Sequence, residues 1–397
     1  MSTRRAPPTS TAIIHDGRPR FVPGDGVPVP IAQTSTFVFR DTTELVSFFD
    51  GTHPDERRGE YGRYGNPTID ALEGRLAALD GANEALTFSS GMAALTTTIL
   101  ALVKGGQHVV LFRDGYRKTR DFVTKTLGRF GVASTVIEPG NIQELRAAMR
   151  PETRLVLGEA PTNPYLRCAD LAAIAEVVHA ERGAKLVVDA TLATPLGFRC
   201  LEQGADLSVQ SATKYLAGHH DVLGGVVAGS RELVSLVREL RGATGAMLDP
   251  HSAFLIARGL DTLALRMERH NATALALARA LEGHEGVARV HHPSLSSHPD
   301  HDVAARLFVS TGGLVTFVSA RGLEGARAVC DRVKLARIGP SFGGPQTLIE
   351  PVALMSYFAE GPEGRQRLGI EEGLVRVACG LEETHDVVAD VLQALAS

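Results

Sequence analysis

Short apolar runs alternate with helix-length segments from residue 68 onward, and this alternation constrains the fold more than any other feature. The runs "EALTFSS", "QHVVLF" and "ASTVIEP" have the length of buried strands, and segments such as "GMAALTTTILALV" lie between them. Strands that alternate with helices form mostly parallel sheets that are covered on both faces. The pattern therefore predicts an α/β large domain over residues 68–260.

The pattern changes on either side of that region. Beyond residue 260, strands such as "GGLVTFVS" and "GLVRVACG" are mixed with helices, which predicts a smaller α+β C-terminal domain over residues 261–397. Residues 1–67 are rich in Pro, Gly and Arg and have little helical period. We expect them to form an extended arm that contacts a neighbouring subunit.

Charge and cysteine usage exclude several classes of protein. The net charge is -4, with acidic and basic residues interleaved, so the chain has no basic stripe for nucleic acid or an anionic membrane surface. No apolar run reaches membrane-spanning length or forms a signal-peptide core. The four cysteines lack disulfide or zinc-ligand spacing, and the histidines of "HHPSLSSHPDH" fit no zinc pattern. We expect a cytoplasmic protein with no bound metal.

Two strand ends carry polar residues that can share one crevice. "AKLVVDA" contains Asp189 at its end, and "GADLSVQS" ends at Ser211, directly before the turn that contains Lys214. In open α/β sheets the ligand lies at the carboxyl ends of the strands. In "SSGMAAL", two serines and a glycine precede an apolar helix, whose free N–H groups favour an anion such as phosphate.

A phosphate site beside an aspartate and a lysine predicts pyridoxal 5'-phosphate (PLP) as the cofactor. Ser211 and Thr213 supply a second hydroxyl cluster, the Asp189 carboxylate keeps the pyridine nitrogen protonated, and Lys214 reacts with the aldehyde. The chain has only 6 lysines among its 41 basic residues, yet arginine cannot replace Lys214 because guanidinium does not deprotonate in proteins. Singly, a serine cap or a buried ion pair explains each residue. Together, their order and spacing favour the cofactor site.

Five segments also carry a resemblance: "EYGRYGNPTIDALE", "SSGMAAL", "APTNPYLRCADL", "DATLATPL" and "SATKYLAGHHDVLGGVVAGS". From about residue 28 to the C-terminus, the chain resembles the cystathionine γ-synthase and γ-lyase family, the PLP-dependent enzymes of cysteine and methionine metabolism. Within the family, "DGYRKTRDF", "GPSFGG" and "PVALMSYF" look most like the plant-type synthases, without a plastid transit peptide. The resemblance implies the aminotransferase-like fold type I. It also implies a homotetramer built from dimers that share active sites.

The resemblance further implies roles for individual residues. Lys214 would hold the cofactor and shuttle protons, Tyr116 would stack on the ring, and Asn163 would contact the ring oxygen. Asp189 would pair with the pyridine nitrogen. The phosphate would be bound by Gly91, Met92, Ser211 and Thr213, with Tyr61 and Arg63 reaching across from the partner subunit.

On the substrate side, the resemblance implies that Arg376, with the backbone near Ser341, clamps the α-carboxylate, for which a planar bidentate donor is well suited. The implied reaction is γ-replacement on an O-activated homoserine, with a phospho, succinyl or acetyl group, by cysteine to form cystathionine. Lys118 matches the position at which plant-type synthases hold the distal anion. A solvated helix lysine is the alternative.

One position departs from the family pattern. Family members usually have a glutamate in the loop after the paired glycines, where this chain has Gln346 in "FGGPQTLIEP". That glutamate is associated with choice of the second substrate, and an amide weakens a charge-assisted contact. A different nucleophile and a γ-lyase reaction therefore stay open as alternatives. A nucleotide-binding module is disfavoured because the chain has no G-x-G-x-x-G or P-loop pattern at a strand-to-helix turn.

Overall fold

A seven-stranded sheet forms the centre of the large domain in the computed structural model, which describes residues 7–54 and 59–396. Its strands are β1 (Glu84–Phe88), β2 (His108–Phe112), β3 (Ala133–Ile137), β4 (Thr153–Glu159), β5 (Lys185–Asp189), β6 (Leu207–Gln210) and β7 (Gly225–Gly229). Their order is β1-β7-β6-β5-β4-β2-β3. β7 runs antiparallel to both neighbours, and the other pairs are parallel. The predicted mostly parallel α/β sheet is confirmed.

Helices cover both faces of this sheet and extend into the rest of the chain. In the described residues the α-helices are α1 (Ser10–His15), α2 (Thr42–Phe49), α3 (Pro67–Asp80), α4 (Gly91–Leu102), α5 (Arg117–Asp121), α6 (Ile142–Ala148), α7 (Leu171–Ala180), α8 (Thr194–Gly197), α9 (Arg231–Thr244), α10 (Pro250–Leu260), α11 (Leu263–Leu281), α12 (His301–Leu307), α13 (Gly322–Arg332), α14 (Gly361–Arg367) and α15 (Thr384–Leu395). A π-helical turn, Phe122–Thr126, continues α5. Short 3₁₀ turns lie at Pro23–Asp25, Leu127–Phe130, Cys200–Gln203 and Phe358–Glu360.

The central strands are apolar because both of their faces are covered. Val109, Leu155 and Val187 are fully buried on one face with α4 and α9 residues, and Val110, Val156 and Val188 are fully buried on the other with α7 residues. Buried parallel strands are expected to read as continuous apolar runs. The runs "HVVLF" and "KLVVD" follow from that double burial.

A second sheet forms the smaller C-terminal unit. Its strands are β8 (Val287–His291), β9 (Leu314–Ser319), β10 (Arg337–Ile338), β11 (Leu348–Pro351) and β12 (Leu374–Ala378), in the order β10-β11-β12-β9-β8. All pairs are antiparallel except β10 with β11. α11, α13 and α15 pack against the sheet and share one apolar core with it. This is the expected α+β unit. The exact boundaries at residues 67 and 260 stay a prediction.

The sequence predicted an extended N-terminal segment, but the structure has two short helices within it. α1 begins where the Thr9 hydroxyl accepts from the Ala12 N–H at 3.1 Å. α2 begins where the Asp41 carboxylate accepts from the Glu44 N–H at 2.9 Å. A capping side chain satisfies an N–H that the helix itself cannot, so even a short segment becomes helical. The prediction is therefore wrong at residues 10–15 and 42–49.

A membrane-spanning helix must be both long and apolar. Over residues 7–54 and 59–396, no helix combines the length and the apolar content that crossing a bilayer requires.

Candidate active site

The carboxyl ends of four neighbouring parallel strands meet at one edge of the large sheet. β5 ends at Asp189, and the turn that contains Lys214 follows β6, its parallel neighbour. On the other side of β5, β4 ends at Glu159 and leads to Asn163, and β2 leads to Tyr116. The predicted strand-end site is thus assembled by the sheet order itself.

An anion cradle lies where α4 begins. A Cβ atom on Gly91 would be 2.8 Å from the Cβ of Ser211, so only glycine allows the Ser211 turn to lie this close to the helix. The Ser90 hydroxyl accepts from the Ala93 N–H at 3.0 Å. The N–H groups of Gly91 and Met92 form no hydrogen bond with the residues described. They are the free amides at a helix start that a phosphate group requires.

Thr213, the second hydroxyl expected at the phosphate, is already hydrogen-bonded. Its Oγ1 accepts from the Gly224 N–H at 2.9 Å and lies 3.2 Å from the Gly224 carbonyl oxygen, to which it donates. It can donate to a phosphate oxygen only by turning away from that carbonyl. The Ser211 N–H, in contrast, donates to the Thr191 hydroxyl at 2.8 Å, which fixes the turn without using the serine side chain.

Asp189 is a half-buried carboxyl group, and one of its oxygens accepts two hydrogen bonds. Its Oδ1 accepts from the Thr191 N–H at 3.0 Å and from the Thr191 hydroxyl at 2.5 Å. Burial raises the pKa of Asp189, while the Thr191 bonds and the positive charge of Lys214 act in the opposite direction. A protonated pyridine nitrogen supplies the further positive charge that keeps a buried carboxylate ionised.

Lys214 faces the small domain. Its Nζ donates to the Ser341 Oγ at 2.6 Å and lies 5.0 Å from the centre of the Phe342 ring. Burial and the nearby charge of Arg376 lower the pKa of Lys214 to about 8, although Glu350 and Asp189 oppose that shift. About a tenth of this amine is therefore neutral at pH 7, far more than for an ordinary lysine, and both nucleophilic attack and proton abstraction require the neutral form.

The loop that carries Ser341 lies directly on the lysine turn. Ser341 has φ +87°, a left-handed conformation that is uncommon for any residue except glycine. A Cβ atom on Gly343 would be 2.7 Å from the Tyr215 N, so the loop needs a glycine where it meets the turn. This close contact places a small-domain hydroxyl within reach of Lys214.

Arg376 lies on β12 and links the two sheets. Its Nη1 donates to the Asn163 Oδ1 at 3.1 Å, its Nη2 donates to the Ser341 carbonyl oxygen at 3.1 Å, and Nη2 lies 3.4 Å from the Glu350 Oε2. Its Nε is buried and has no hydrogen-bond partner among the described residues. Asn163, Ser341 and Arg376 are thus brought together as predicted. The spare donor suits a substrate carboxylate.

Sequence reasoning missed Glu159 and Glu350. Glu159 ends the apolar strand "TRLVLGE" in the same way as Asp189 ends "KLVVD", and that parallel was the available signal. Glu350 gave no such signal, because it lies within β11 and becomes important only through its pairing with Arg376 in β12.

Other predicted residues lie outside this cluster. The Arg63 Nη1 donates to the Gly242 carbonyl oxygen at 2.9 Å, and its guanidinium lies 5.3 Å from the Tyr61 ring centre. Within the described chain no hydrogen bond joins Arg63 to Gly91 or Ser211. Lys118 is exposed on α5 and Gln346 is exposed before β11, and the side chain of neither has a salt bridge or hydrogen bond with the described residues. The same residues contain no His, Cys, Asp or Glu cluster suited to a metal ion.

The fold and the site together define a class of protein. A reactive lysine, a buried aspartate and a helix-start anion cradle, at the strand ends of a mostly parallel seven-stranded sheet, are the parts that a PLP-dependent enzyme of fold type I requires. The family described as "Cys/Met metabolism PLP-dependent enzyme" matches residues 10–396. The chain belongs to that family.

Individual relatives cover the same region. The chain is 43% identical over 375 residues to "Cystathionine gamma-synthase 1, chloroplastic" of Arabidopsis thaliana, an alignment that covers 94% of this chain and 65% of the relative. It is 39% identical to "L-methionine gamma-lyase" of Pseudomonas putida, over 99% of this chain and 98% of the relative. The crystal structure of metB from Corynebacterium glutamicum superposes with a TM-score of 0.90 at 36% identity, over 97% of each chain. The chain therefore spans 65% of the Arabidopsis protein and nearly all of the two bacterial ones.

Proposed function

We propose that the protein catalyses γ-replacement on an O-activated homoserine, with cysteine as the incoming nucleophile and cystathionine as the product. The observation that carries the proposal is that Lys214 and Arg376 both donate hydrogen bonds to Ser341. A proton-transfer group therefore lies beside a carboxylate-binding group. The similarity to proteins named cystathionine gamma-synthase, at 42 to 43% identity, supports this choice within the family.

The residues divide the work between them. PLP, when bound, supplies the electron sink that stabilises negative charge on the substrate's α-carbon. Arg376 holds the α-carboxylate by charge-assisted hydrogen bonds, which orients the substrate. Lys214 then takes the α-proton as a general base, and its lowered pKa of about 8 keeps it available. The Ser341 hydroxyl, 2.6 Å from Nζ, holds the amine in place between transfers.

Lys118 is proposed to hold the distal anion of the donor. It is exposed two residues after Tyr116, and it has no salt bridge with the described residues, so its charge is available to a ligand. Lys118→Ala is expected to lower kcat/KM roughly tenfold or more for the donor with an anionic tail and much less for O-acetylhomoserine. Lys104→Ala removes another exposed lysine and is the control. Equal values for Lys118→Ala and the control would exclude the anion role.

A lyase reaction is the second candidate, and Gln346 together with the Pseudomonas relative favours it. Gln346 is exposed and neutral where a carboxylate would attract the ammonium group of cysteine. Incubation with O-phospho-, O-succinyl- and O-acetylhomoserine, with and without cysteine, separates the two reactions by mass spectrometry. Cystathionine supports the proposal. Ammonia and a keto acid in the presence of cysteine, without any thioether, would replace the synthase by a lyase.

We also propose that the active form is a homotetramer of dimers that share their sites. The support is that Arg63 donates to the Gly242 carbonyl oxygen and has no hydrogen bond to the anion cradle within the described residues, and that the arm exposes Phe21, Val27 and Val38. Large apolar side chains that share a surface are typical of subunit contacts. Location in the cytoplasm is proposed as well, and the four free buried cysteines are compatible with it.

Shared sites have a specific test. Arg63→Ala and Lys214→Ala chains, each inactive alone, are co-expressed and purified as the mixed oligomer. If Arg63 serves the partner's site, a mixed dimer contains one site with both changes and one intact site, so activity returns. If each chain forms its own site, every site carries one change and the mixture stays inactive.

A further inference from the structure

Glu159 is a half-buried carboxyl group at the centre of the strand-end edge, and the mechanism above does not use it. It ends β4 and lies opposite Asp189 in the register of β4 with β5, so the two side chains share one face of the sheet. A small cavity beneath Tyr116 is lined by Asp114, Glu159 and Asp189. Three acidic side chains therefore line one small cavity at the strand ends.

The contacts of Glu159 lead to the two loops that border the ring. Its Oε2 accepts from the backbone N–H of Tyr116 at 2.6 Å. The backbone N–H of Asn163 also faces this carboxyl group. Tyr116 is the residue expected to stack on the ring, and Asn163 the residue expected to contact the ring oxygen. Glu159 thus accepts a hydrogen bond from the Tyr116 backbone, and the Asn163 backbone acts to lower the pKa of the same carboxyl group.

The Tyr116 loop is shaped around this carboxyl group. Gly115 has φ +151°, and a Cβ atom there would lie 3.0 Å from the Glu159 Oε2. The chain can close over the carboxyl group because position 115 has no side chain. The ring of Tyr116 itself is 47% exposed, so packing on its own does not fix it. The Tyr116 carbonyl oxygen accepts from the Thr119 and Arg120 N–H groups of α5, and the Tyr116 N–H is held by Glu159.

The neighbouring charges decide the form of Glu159. Burial raises its pKa well above the ordinary value, and the negative charges of Asp189 and Asp114 act in the same direction. Two adjacent buried carboxyl groups do not both ionise readily. If Asp189 carries the charge that pairs with a pyridine nitrogen, Glu159 holds a proton and accepts hydrogen bonds through its carbonyl oxygen. A glutamine side chain has the same shape and the same acceptor.

We propose that Glu159 is a positioning residue for the cofactor, which fixes the backbone of Tyr116 and the neighbouring backbone of Asn163 so that the ring is held between their loops. This inference concerns the PLP site and does not depend on which substrate or nucleophile the enzyme uses. Its effect is expected in cofactor affinity and in the order of the Tyr116 loop, both of which can be measured without substrate.

The test compares Glu159→Gln, which keeps the acceptor, with Glu159→Leu, which keeps the approximate volume and loses it. In the full-length protein, Glu159→Leu is expected to raise the PLP dissociation constant on the order of tenfold, because buried N–H groups lose their acceptor. It is also expected to speed amide exchange in the peptide that contains Tyr116 and to change the visible absorbance of bound PLP. Glu159→Gln is expected to stay within about threefold of wild type in affinity.

Asp390→Ala is the matched control. Asp390 is buried in the small domain and accepts from the N–H groups of Lys334, Leu335 and Ala336. Its loss should lower the melting temperature without changing PLP affinity or absorbance. If Glu159→Leu does not fold, Glu159→Asp withdraws the carboxyl group from Tyr116 and takes its place in the comparison.

Two results would overturn the inference. One is wild-type PLP affinity and absorbance in Glu159→Leu, and the other is a defect in Glu159→Gln as large as that in Glu159→Leu. Neither result bears on the γ-replacement proposal, which is decided by product analysis. Conversely, finding a lyase instead of a synthase would leave the role of Glu159 unchanged.

Discussion

The two sides of the active site are built differently. On the cofactor side, the anion cradle, Asp189 and Lys214 follow three strands of one sheet, β1, β5 and β6, and the carboxylate and amine have hydrogen-bond partners within the protein. On the substrate side, Arg376 Nε and Glu350 Oε2 are buried without a hydrogen-bond partner among the described residues. Buried polar atoms that lack partners are costly, and a bound substrate carboxylate would give Arg376 Nε a partner. On the cofactor side the carboxylate and the amine are paired, although the Gly91 and Met92 N–H groups form no hydrogen bond with the described residues and stay free for a phosphate. On the substrate side, within the part of the chain that the structure describes, Arg376 Nε has no partner, and Glu350 Oε2 has only its ion pair with Arg376 Nη2.

Lys214→Ala should give the largest effect and tests the cofactor side directly. The variant loses both the amine that reacts with PLP and the base that moves the α-proton, so kcat is expected to fall by more than about a thousandfold. The visible absorbance of the purified protein should also be lost. An active variant with wild-type absorbance would show that another group carries the chemistry.

Asp189→Asn should act next most strongly. The amide cannot supply the negative charge that keeps a pyridine nitrogen protonated, and breaking a buried charge pair is costly, so activity is expected to fall about a hundredfold or more. PLP affinity should fall as well, because this residue belongs to the cofactor side. Unchanged affinity in a titration with PLP would argue against the pairing of Asp189 with the ring.

Arg376→Lys should separate the two sides. The variant keeps the positive charge but loses the planar donors that bond to Asn163 and Ser341, so KM for the amino-acid donor is expected to rise roughly thirtyfold. PLP affinity is expected to stay near wild type. A large loss of PLP affinity would mean that the two sides are not independent.

The pH dependence of PLP capture reports on Lys214 in the cofactor-free protein. The lowered pKa of about 8 means that the reactive neutral amine increases as pH rises to 8 and then levels off. Below that pH the capture rate should fall about tenfold per unit, because each unit reduces the neutral fraction tenfold. Stopped-flow absorbance between pH 6 and pH 10 would measure the midpoint of this pH dependence. We expect it about two pH units below that of an ordinary lysine. A midpoint near the ordinary lysine value would contradict the burial of Lys214.

The sequence placed Asp189, Tyr116 and Lys214 at the strand ends where the structure has them, and there is a physical reason for it. Asp189, Tyr116 and Lys214 each follow an apolar strand within a few residues, so the parallel arrangement of the strands alone brings them to one edge. The substrate side depends on contacts between strands that are distant in sequence. Glu350 lies opposite Arg376 only because β11 pairs with β12, and no local pattern marks that pairing.

The N-terminal segment is a second region in which local sequence did not predict the structure. Composition suggested an extended arm, yet Thr9 and Asp41 each cap a short helix, and a single capping bond is too small a signal to see among prolines and glycines. Local sequence therefore predicts elements that packing also favours. Local sequence does not predict an element whose formation depends on a single side-chain contact.

Glu350→Gln should give the smallest effect and tests whether the substrate side is held in reserve for a ligand. In the protein, Glu350 Oε2 lies 3.4 Å from Arg376 Nη2 and the Ser356 hydroxyl donates to Glu350 Oε1 at 3.0 Å. The carboxylate thus partly neutralises the guanidinium that a substrate carboxylate must bind. Glutamine removes that competing charge, so KM for the donor is expected to fall by roughly threefold.

The same change should lower stability, because Arg376 loses a charged neighbour in a buried site. We expect the free energy of unfolding to decrease by about 1–2 kcal/mol, since Asn163 and Ser341 still accept from the guanidinium. Equilibrium denaturation and steady-state kinetics on one preparation measure both effects. General damage to the fold would raise KM as the free energy of unfolding falls. Relief of competition would instead lower KM while the free energy of unfolding falls. A higher KM in Glu350→Gln would therefore show that Glu350 assists substrate binding instead of competing with the substrate carboxylate for Arg376.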